Sequence, residues 1–187
     1  MGYHSYAKGM DFTLNIANRL TIFRIALIPV FLIILYIGFP LSNYIAMAVF
    51  IIACLTDILD GYIARRRKLV TDFGKFLDPL ADKILVLAAM VWFVEQGELP
   101  AWVALVVTMR EFMVTGLRLV AVDNGRVIAA GLLGKIKTVV TMVCLSVMFL
   151  DLEYWMLIVC IVAITGTTLV SGVEYFIKNR DIISSKK

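Results

Sequence analysis

The sequence predicts an all-α polytopic membrane protein, a single bundle of six transmembrane helices. Three observations predict it. The 187-residue chain is 61% hydrophobic, with a mean hydropathy of +0.93, well beyond an ordinary soluble domain. Six stretches approach the roughly 20 mostly apolar residues that a bilayer crossing needs: 19–37, 41–64, 73–94, 101–122, 129–150 and 154–177. The basic residues are also segregated. The connections 38–43, 95–101 and 151–154 hold no Lys or Arg, so all 18 lie toward the opposite ends of the spans. By the positive-inside rule, both termini then face the cytoplasm. Residues 1–18 form an N-terminal segment, of which 11–17 suit a short interfacial helix. Residues 19–178 form the transmembrane domain, and 179–187 a basic cytoplasmic tail.

The net charge of +4, distributed in this way, suits anionic lipid headgroups. No groove-reading motif accompanies it, so nucleic acid is not expected as a partner. Cys54, Cys144 and Cys160 each fall inside an apolar stretch, with no CxxC, and read as small hydrophobes and not as a disulfide framework.

In the first span, Asn18, Thr21 and Arg24 recur every three residues and drift slowly around one side of a helix. Asn18 also suits an N-cap. Arg24 lies more than a turn inside apolar sequence, where a charge needs a partner. Pro29 is expected to bend this helix. Pro79 is expected to do the same in the third span, and Pro100 suits the start of the fourth. The fourth span carries Arg110 and Glu111, which must be paired or face an aqueous cavity, and Arg118. Asp123-Asn124-Gly125 is a turn signal. Gly131 and Gly134 at the head of the fifth span permit close helix approach, with Lys135 and Lys137 beside them. Glu174, near the end of the sixth span, is a partner for some basic residue.

The most informative stretch joins the second and third spans. It reads Asp57-x2-Asp60-Gly61-x2-Ala64-Arg65, eight residues, then Gly74-x3-Asp78-x3-Asp82. At 100° per residue, Asp57, Asp60, Gly61, Ala64 and Arg65 share a sector of roughly 140°, and Gly74, Asp78 and Asp82 one of about 80°. If those faces pack together, four carboxylates converge, and they cannot all remain ionised without a cation. A pair of divalent ions, Mg²⁺ or Mn²⁺, suits such hard oxygen donors. The small residues alongside leave room for a bulky ligand.

This pattern resembles the signature of the CDP-alcohol phosphotransferase family, D-x2-D-G-x2-A-R-x8-G-x3-D-x3-D, at every fixed position. The resemblance implies a six-helix membrane enzyme that moves a phosphatidyl or related group from a CDP-linked donor to an alcohol, releasing CMP. It implies metal ligation by Asp57, Asp60, Asp78 and Asp82, with Asp82 also the general base or, alternatively, only a ligand. It assigns the donor nucleotide to Asp60, Gly61, Ala64, Arg65 and Gly74, with Asn18, Thr21 and Arg24 as donor-side candidates. The opening Asn18-Arg-Leu-Thr21-x2-Arg24 and the segments 110–118 and 134–138 resemble the glycerol-phosphate-using branch, except that Ala17 stands where that branch has proline.

The acceptor would then be sn-glycerol 3-phosphate and the donor CDP-diacylglycerol, giving phosphatidylglycerophosphate. A dianionic acceptor needs fixed cations, and Arg110, Arg118, Lys135 and Lys137 are a matching supply. For the two lysines, plain cytoplasmic anchoring is the competing reading. The resemblance further implies a homodimer in the bacterial cytoplasmic membrane, with the site on the cytoplasmic side. Two alternatives stand. One is a relative using serine, inositol phosphate or another alcohol. The other, from a different class, is a divalent-metal transporter, which would place its acids near the bilayer midplane.

Overall fold

The computed structural model describes the backbone of residues 16–67, 72–123, 128 and 131–181. Side chains at 16–21, 57–67, 72–80, 82 and 123 lie outside that description. Six helices follow in order: α1 (Ile16–Ile37), α2 (Ser42–Arg67), α3 (Asp72–Glu95), α4 (Ala101–Asp123), α5 (Leu132–Met148) and α6 (Tyr154–Lys178). There is no strand among the described residues. The expected interfacial helix over 11–17 and the turn at Asn124-Gly125 fall largely outside them.

The helix ends follow local chemistry. Gly38 (φ 68°) closes α1 and Gly97 (φ 75°) closes α3, both in the left-handed region that glycine adopts without a Cβ penalty. After Gly97, the Glu98 and Leu99 amides return to the Phe93 carbonyl at 3.0 and 3.1 Å, satisfying the end of α3. Pro100 precedes α4, and its carbonyl accepts the Val103 amide at 2.9 Å. The fifth helix begins three residues later than the apolar run suggests. Gly131 is extended (φ −67°, ψ 158°) and serves as the N-cap, with the Lys135 amide donating to its carbonyl at 3.3 Å. Pro29 is accommodated within the continuous span of α1.

Four phenylalanines fix the end of the bundle remote from the aspartate motif. Phe149, just past α5, lies 5.9 Å from Phe31, 6.2 Å from Phe50 and 4.6 Å from Phe93, centroid to centroid. All four are buried, so α1, α2, α3 and α5 share one aromatic core. A smaller cluster of Val114, Leu117 and Tyr175 joins α4 to α6 near the other end. Hydroxyls inside the apolar helices bond back to carbonyls of the preceding turn: Thr168 to Ile164 at 2.6 Å and Ser146 to Met142 at 2.8 Å. That satisfies them without a partner helix.

By length and composition, α6 is apolar enough to cross a membrane (25 residues, mean hydropathy 2.2), and Ile22–Ile37 and Ser42–Thr56 are shorter apolar helical stretches. The other helices carry charges into their interiors, Lys83 on α3 and Arg110, Glu111 and Arg118 on α4. Those charges build the site. Cys54, Cys144 and Cys160 form no disulfide.

Candidate active site

The aspartate motif is carried on two helices: Asp57 and Asp60 on α2, Asp78 and Asp82 on α3. Their side chains lie outside the described residues, as do those of Gly61, Ala64, Arg65, Gly74, Asn18 and Thr21. What the backbone provides is uninterrupted helix through both halves of the motif, the condition under which the i,i+3 and i,i+4 spacings share a face. Oxygen donors on such faces fit hard divalent cations. Arg24 on α1 is completely buried.

One residue beyond Asp82 the side chains are described, and there a cavity of about 520 Å³ opens between α3, α4, α5 and α6. Among the described residues its wall holds four cations, Lys83, Arg110, Arg118 and Lys135, against two carboxylates, Glu111 and Glu174. Positive charge is in excess among them. Three of these cations are positioned by identifiable neighbours. Lys83 Nζ donates to the Thr115 hydroxyl across the α3–α4 contact. Arg118 donates from Nε to Tyr175 Oη at 3.2 Å, and its guanidinium carbon stands 5.6 Å from the same ring's centroid, within cation–π range. With Nε engaged, the two Nη groups are left for a ligand in the forked geometry that suits a phosphate or carboxylate.

Arg110 occupies a groove made by absent side chains. A Cβ on Gly134 of α5 would stand 3.3 Å from Arg110 Nη2, and one on Gly172 of α6 would stand 3.4 Å from Arg110 Cγ. The two glycines thus admit the arginine between helices. Its Nη1 donates to Glu111 Oε1 at 2.9 Å. The same oxygen accepts Lys137 Nζ at 2.8 Å. Glu174 pairs with Lys178 one turn further along α6.

The sequence grouped Arg110, Arg118, Lys135 and Lys137. The first three do line one cavity. Lys137 does not: it lies in a smaller pocket of about 80 Å³ behind the wall, where most of its neighbours are apolar. Lys83, Thr115 and Tyr175 join the site although the sequence did not single them out for it. Lys83 had a usable signal, being a charge fixed next to Asp82. Tyr175 had none.

This architecture defines a class of protein. A family model for CDP-alcohol phosphatidyltransferases matches residues 14–170, and the chain belongs to that family of enzymes. Among known proteins, it is similar to the CDP-diacylglycerol–glycerol-3-phosphate 3-phosphatidyltransferase of Bacillus subtilis, at 42% identity over 91% of this chain and 98% of the relative. It is also similar to the Rickettsia bellii protein of the same name, at 41% identity over 73% of this chain and 75% of the relative.

Proposed function

We propose that the protein transfers the phosphatidyl group of CDP-diacylglycerol to sn-glycerol 3-phosphate, yielding phosphatidylglycerophosphate and CMP. The observation that carries this reading is the cavity of about 520 Å³ beside Asp82, with four cations against two carboxylates among its described lining residues. A phosphate monoester is close to a dianion at neutral pH, and an excess of positive charge among the described lining residues is its complement. An uncharged alcohol would gain nothing from it.

In this mechanism Arg118 and Lys135 hold the acceptor phosphate, with Arg110 deeper in the wall. That hold brings the acceptor's hydroxyl toward the cytoplasmic half of α3. Asp82 takes the hydroxyl proton as the oxygen attacks the phosphatidyl phosphorus. The bond from that phosphorus to the CMP phosphate oxygen breaks, and CMP leaves with the electron pair. Asp57, Asp60, Asp78 and Asp82 would hold two divalent cations, Mg²⁺ or Mn²⁺, which supply neutralisation of the donor diphosphate and the leaving phosphate. Gly61, Ala64, Arg65 and Gly74 accommodate the cytidine nucleotide, with Asn18, Thr21 and Arg24 on the donor side. The carried-over roles rest on the motif match.

The same reading makes all six helices membrane spans, with termini and site at the cytoplasmic face of a bacterial membrane and two copies forming a homodimer. Large exposed apolar residues on every helix support the membrane setting, among them Ile33, Leu55, Val91, Leu105, Val143 and Val162. Arg110 and Arg118 of α4 and Lys135 of α5 line a cavity together with Glu111 and Glu174, the kind of setting in which charges at membrane depth are tolerated. The test is release of CMP from CDP-diacylglycerol by purified protein. Omission of divalent metal, or any one of Asp57→Asn, Asp60→Asn and Asp78→Asn, is expected to abolish it while folded protein remains. Near-normal turnover without metal, or in any of these variants, contradicts the mechanism.

A further inference from the structure

We infer that Lys137 is a positioning residue that keeps the Arg110 charge available to an anionic ligand, acting through Glu111 without touching the ligand. The inference rests on the acceptor-site reading above. Glu111 Oε1 accepts from Arg110 Nη1 at 2.9 Å and from Lys137 Nζ at 2.8 Å. The Lys137 side chain is only 4% exposed and that of Arg110 only 11%. A carboxylate this close to a buried guanidinium would, by itself, cancel its charge for an incoming phosphate. A second cation on the same oxygen changes the balance. Lys137 compensates Glu111, the trio keeps one positive charge, and the arginine carrying it lines the cavity while the lysine does not.

The other wall carboxylate is treated in the same way. Glu174 is paired with Lys178, a lysine 68% exposed, four residues further along α6. Both carboxylates are thus compensated by lysines outside the cavity, and Arg110, Arg118 and Lys135 keep their charge on the cavity side. The two devices differ in weight. The Lys178 pair is screened by water, and removing it costs little. The Lys137 pair is shielded, so removing the lysine leaves Glu111 to be compensated by Arg110 alone.

The experiment compares steady-state kinetics of the full-length protein with glycerol 3-phosphate and CDP-diacylglycerol varied separately. Lys137→Met should raise the glycerol 3-phosphate KM by about tenfold, the scale of one charged hydrogen bond, with the donor KM unmoved. Lys137→Arg, which keeps the charge, should stay near the parent, and Lys178→Met should have a much smaller effect than Lys137→Met. The decisive variant is the double Glu111→Gln/Lys137→Met. It removes both charges, leaves Arg110 a neutral acceptor, and should recover most of the lost affinity. A ligating or merely packing lysine predicts the reverse, a double variant at least as impaired as the single one, and that result overturns the inference. If Lys137→Met is not recovered folded, the double variant decides alone, and an acceptor KM raised by the full tenfold overturns the proposal. Arg118→Ala separates the two levels. If it leaves the acceptor KM unchanged, the acceptor-site reading falls and this inference with it. If it raises that KM while the double variant fails to recover, only the role of Lys137 is wrong.

Discussion

Gly134→Ala should weaken acceptor binding while leaving the fold as stable as before, or more so. The new Cβ would stand 3.3 Å from Arg110 Nη2, inside the roughly 3.5–4.0 Å of an ordinary optimal contact. The guanidinium must retreat by a few tenths of an ångström. Its contact with a phosphate is short, about 2.7–2.9 Å, and is worth about 1.5–3 kcal/mol. A shift of that size forfeits part of it, on the order of 1 kcal/mol, or about fivefold in KM. Stability moves the other way, because alanine is better than glycine inside a helix by up to about 1 kcal/mol, and the group that yields is the tip of a long side chain. Gly134→Val adds a branched group to the same contact and should raise the acceptor KM by about tenfold or more. Gly172→Ala, at 3.4 Å from Arg110 Cγ, presses on the stem and should do less. The assay is CMP release at varied glycerol 3-phosphate, alongside thermal unfolding in detergent. A Gly134→Val protein that folds normally and keeps the parental acceptor KM refutes the reasoning, since Arg110 would then not be held where the ligand needs it.

Three further outcomes are expected. Arg118→Ala should raise the glycerol 3-phosphate KM by about tenfold or more while the CDP-diacylglycerol KM changes little. Tyr175→Phe, which removes the 3.2 Å hydrogen bond to Nε but keeps the ring, should produce a smaller change in the same direction. If Arg118→Ala weakens only the donor, Arg118 belongs to the nucleotide side. Glu98, in the connection between α3 and α4, has its pKa raised by burial and by the neighbouring Asp151. Its charged form is disfavoured in the folded state, so stability falls as pH rises from the unfolded value through the raised one. Glu98→Gln should therefore increase the melting temperature at pH 7 and do little at pH 4, and an equal shift at both would exclude the electrostatic cause. Single cysteines at positions 98 and 124, in a cysteine-free background, should label from opposite faces of sealed vesicles. Labelling of both from one face is incompatible with six spans.

The helices were legible in the sequence because each is an apolar run bounded by turn chemistry, with Gly38, Gly97 and Pro100 at the boundaries. The start of α5 was not, because 129–131 is as apolar as the helix that follows, and only the extended backbone at Gly131 marks the boundary. The cavity was partly legible. Arg110 and Arg118 lie about 80° apart on α4, and both reach it. Lys135 and Lys137 stand two residues apart, about 200° around their helix, and that spacing already argued against a shared target. Only one of them lines the cavity. Gly134 was read as permitting helices to approach, whereas the room it leaves is taken by a side chain, Arg110, from a helix more than 20 residues away in sequence. Such three-helix arrangements, like the seat of Arg118 on Tyr175, depend on how α4, α5 and α6 pack, which no local pattern encodes.

The central claim is that the cation-lined cavity beside Asp82 selects a phosphorylated acceptor. The most direct measurement supplies purified protein with CDP-diacylglycerol and a panel of glycerol 3-phosphate, glycerol, serine, inositol and inositol phosphate, and follows both CMP and the lipid product. The account predicts phosphatidylglycerophosphate from glycerol 3-phosphate, little or no product from the unphosphorylated alcohols, and loss of that preference in the Arg118→Ala/Lys135→Ala variant. Equal turnover with glycerol or serine, or a preference that survives the double substitution, would contradict it.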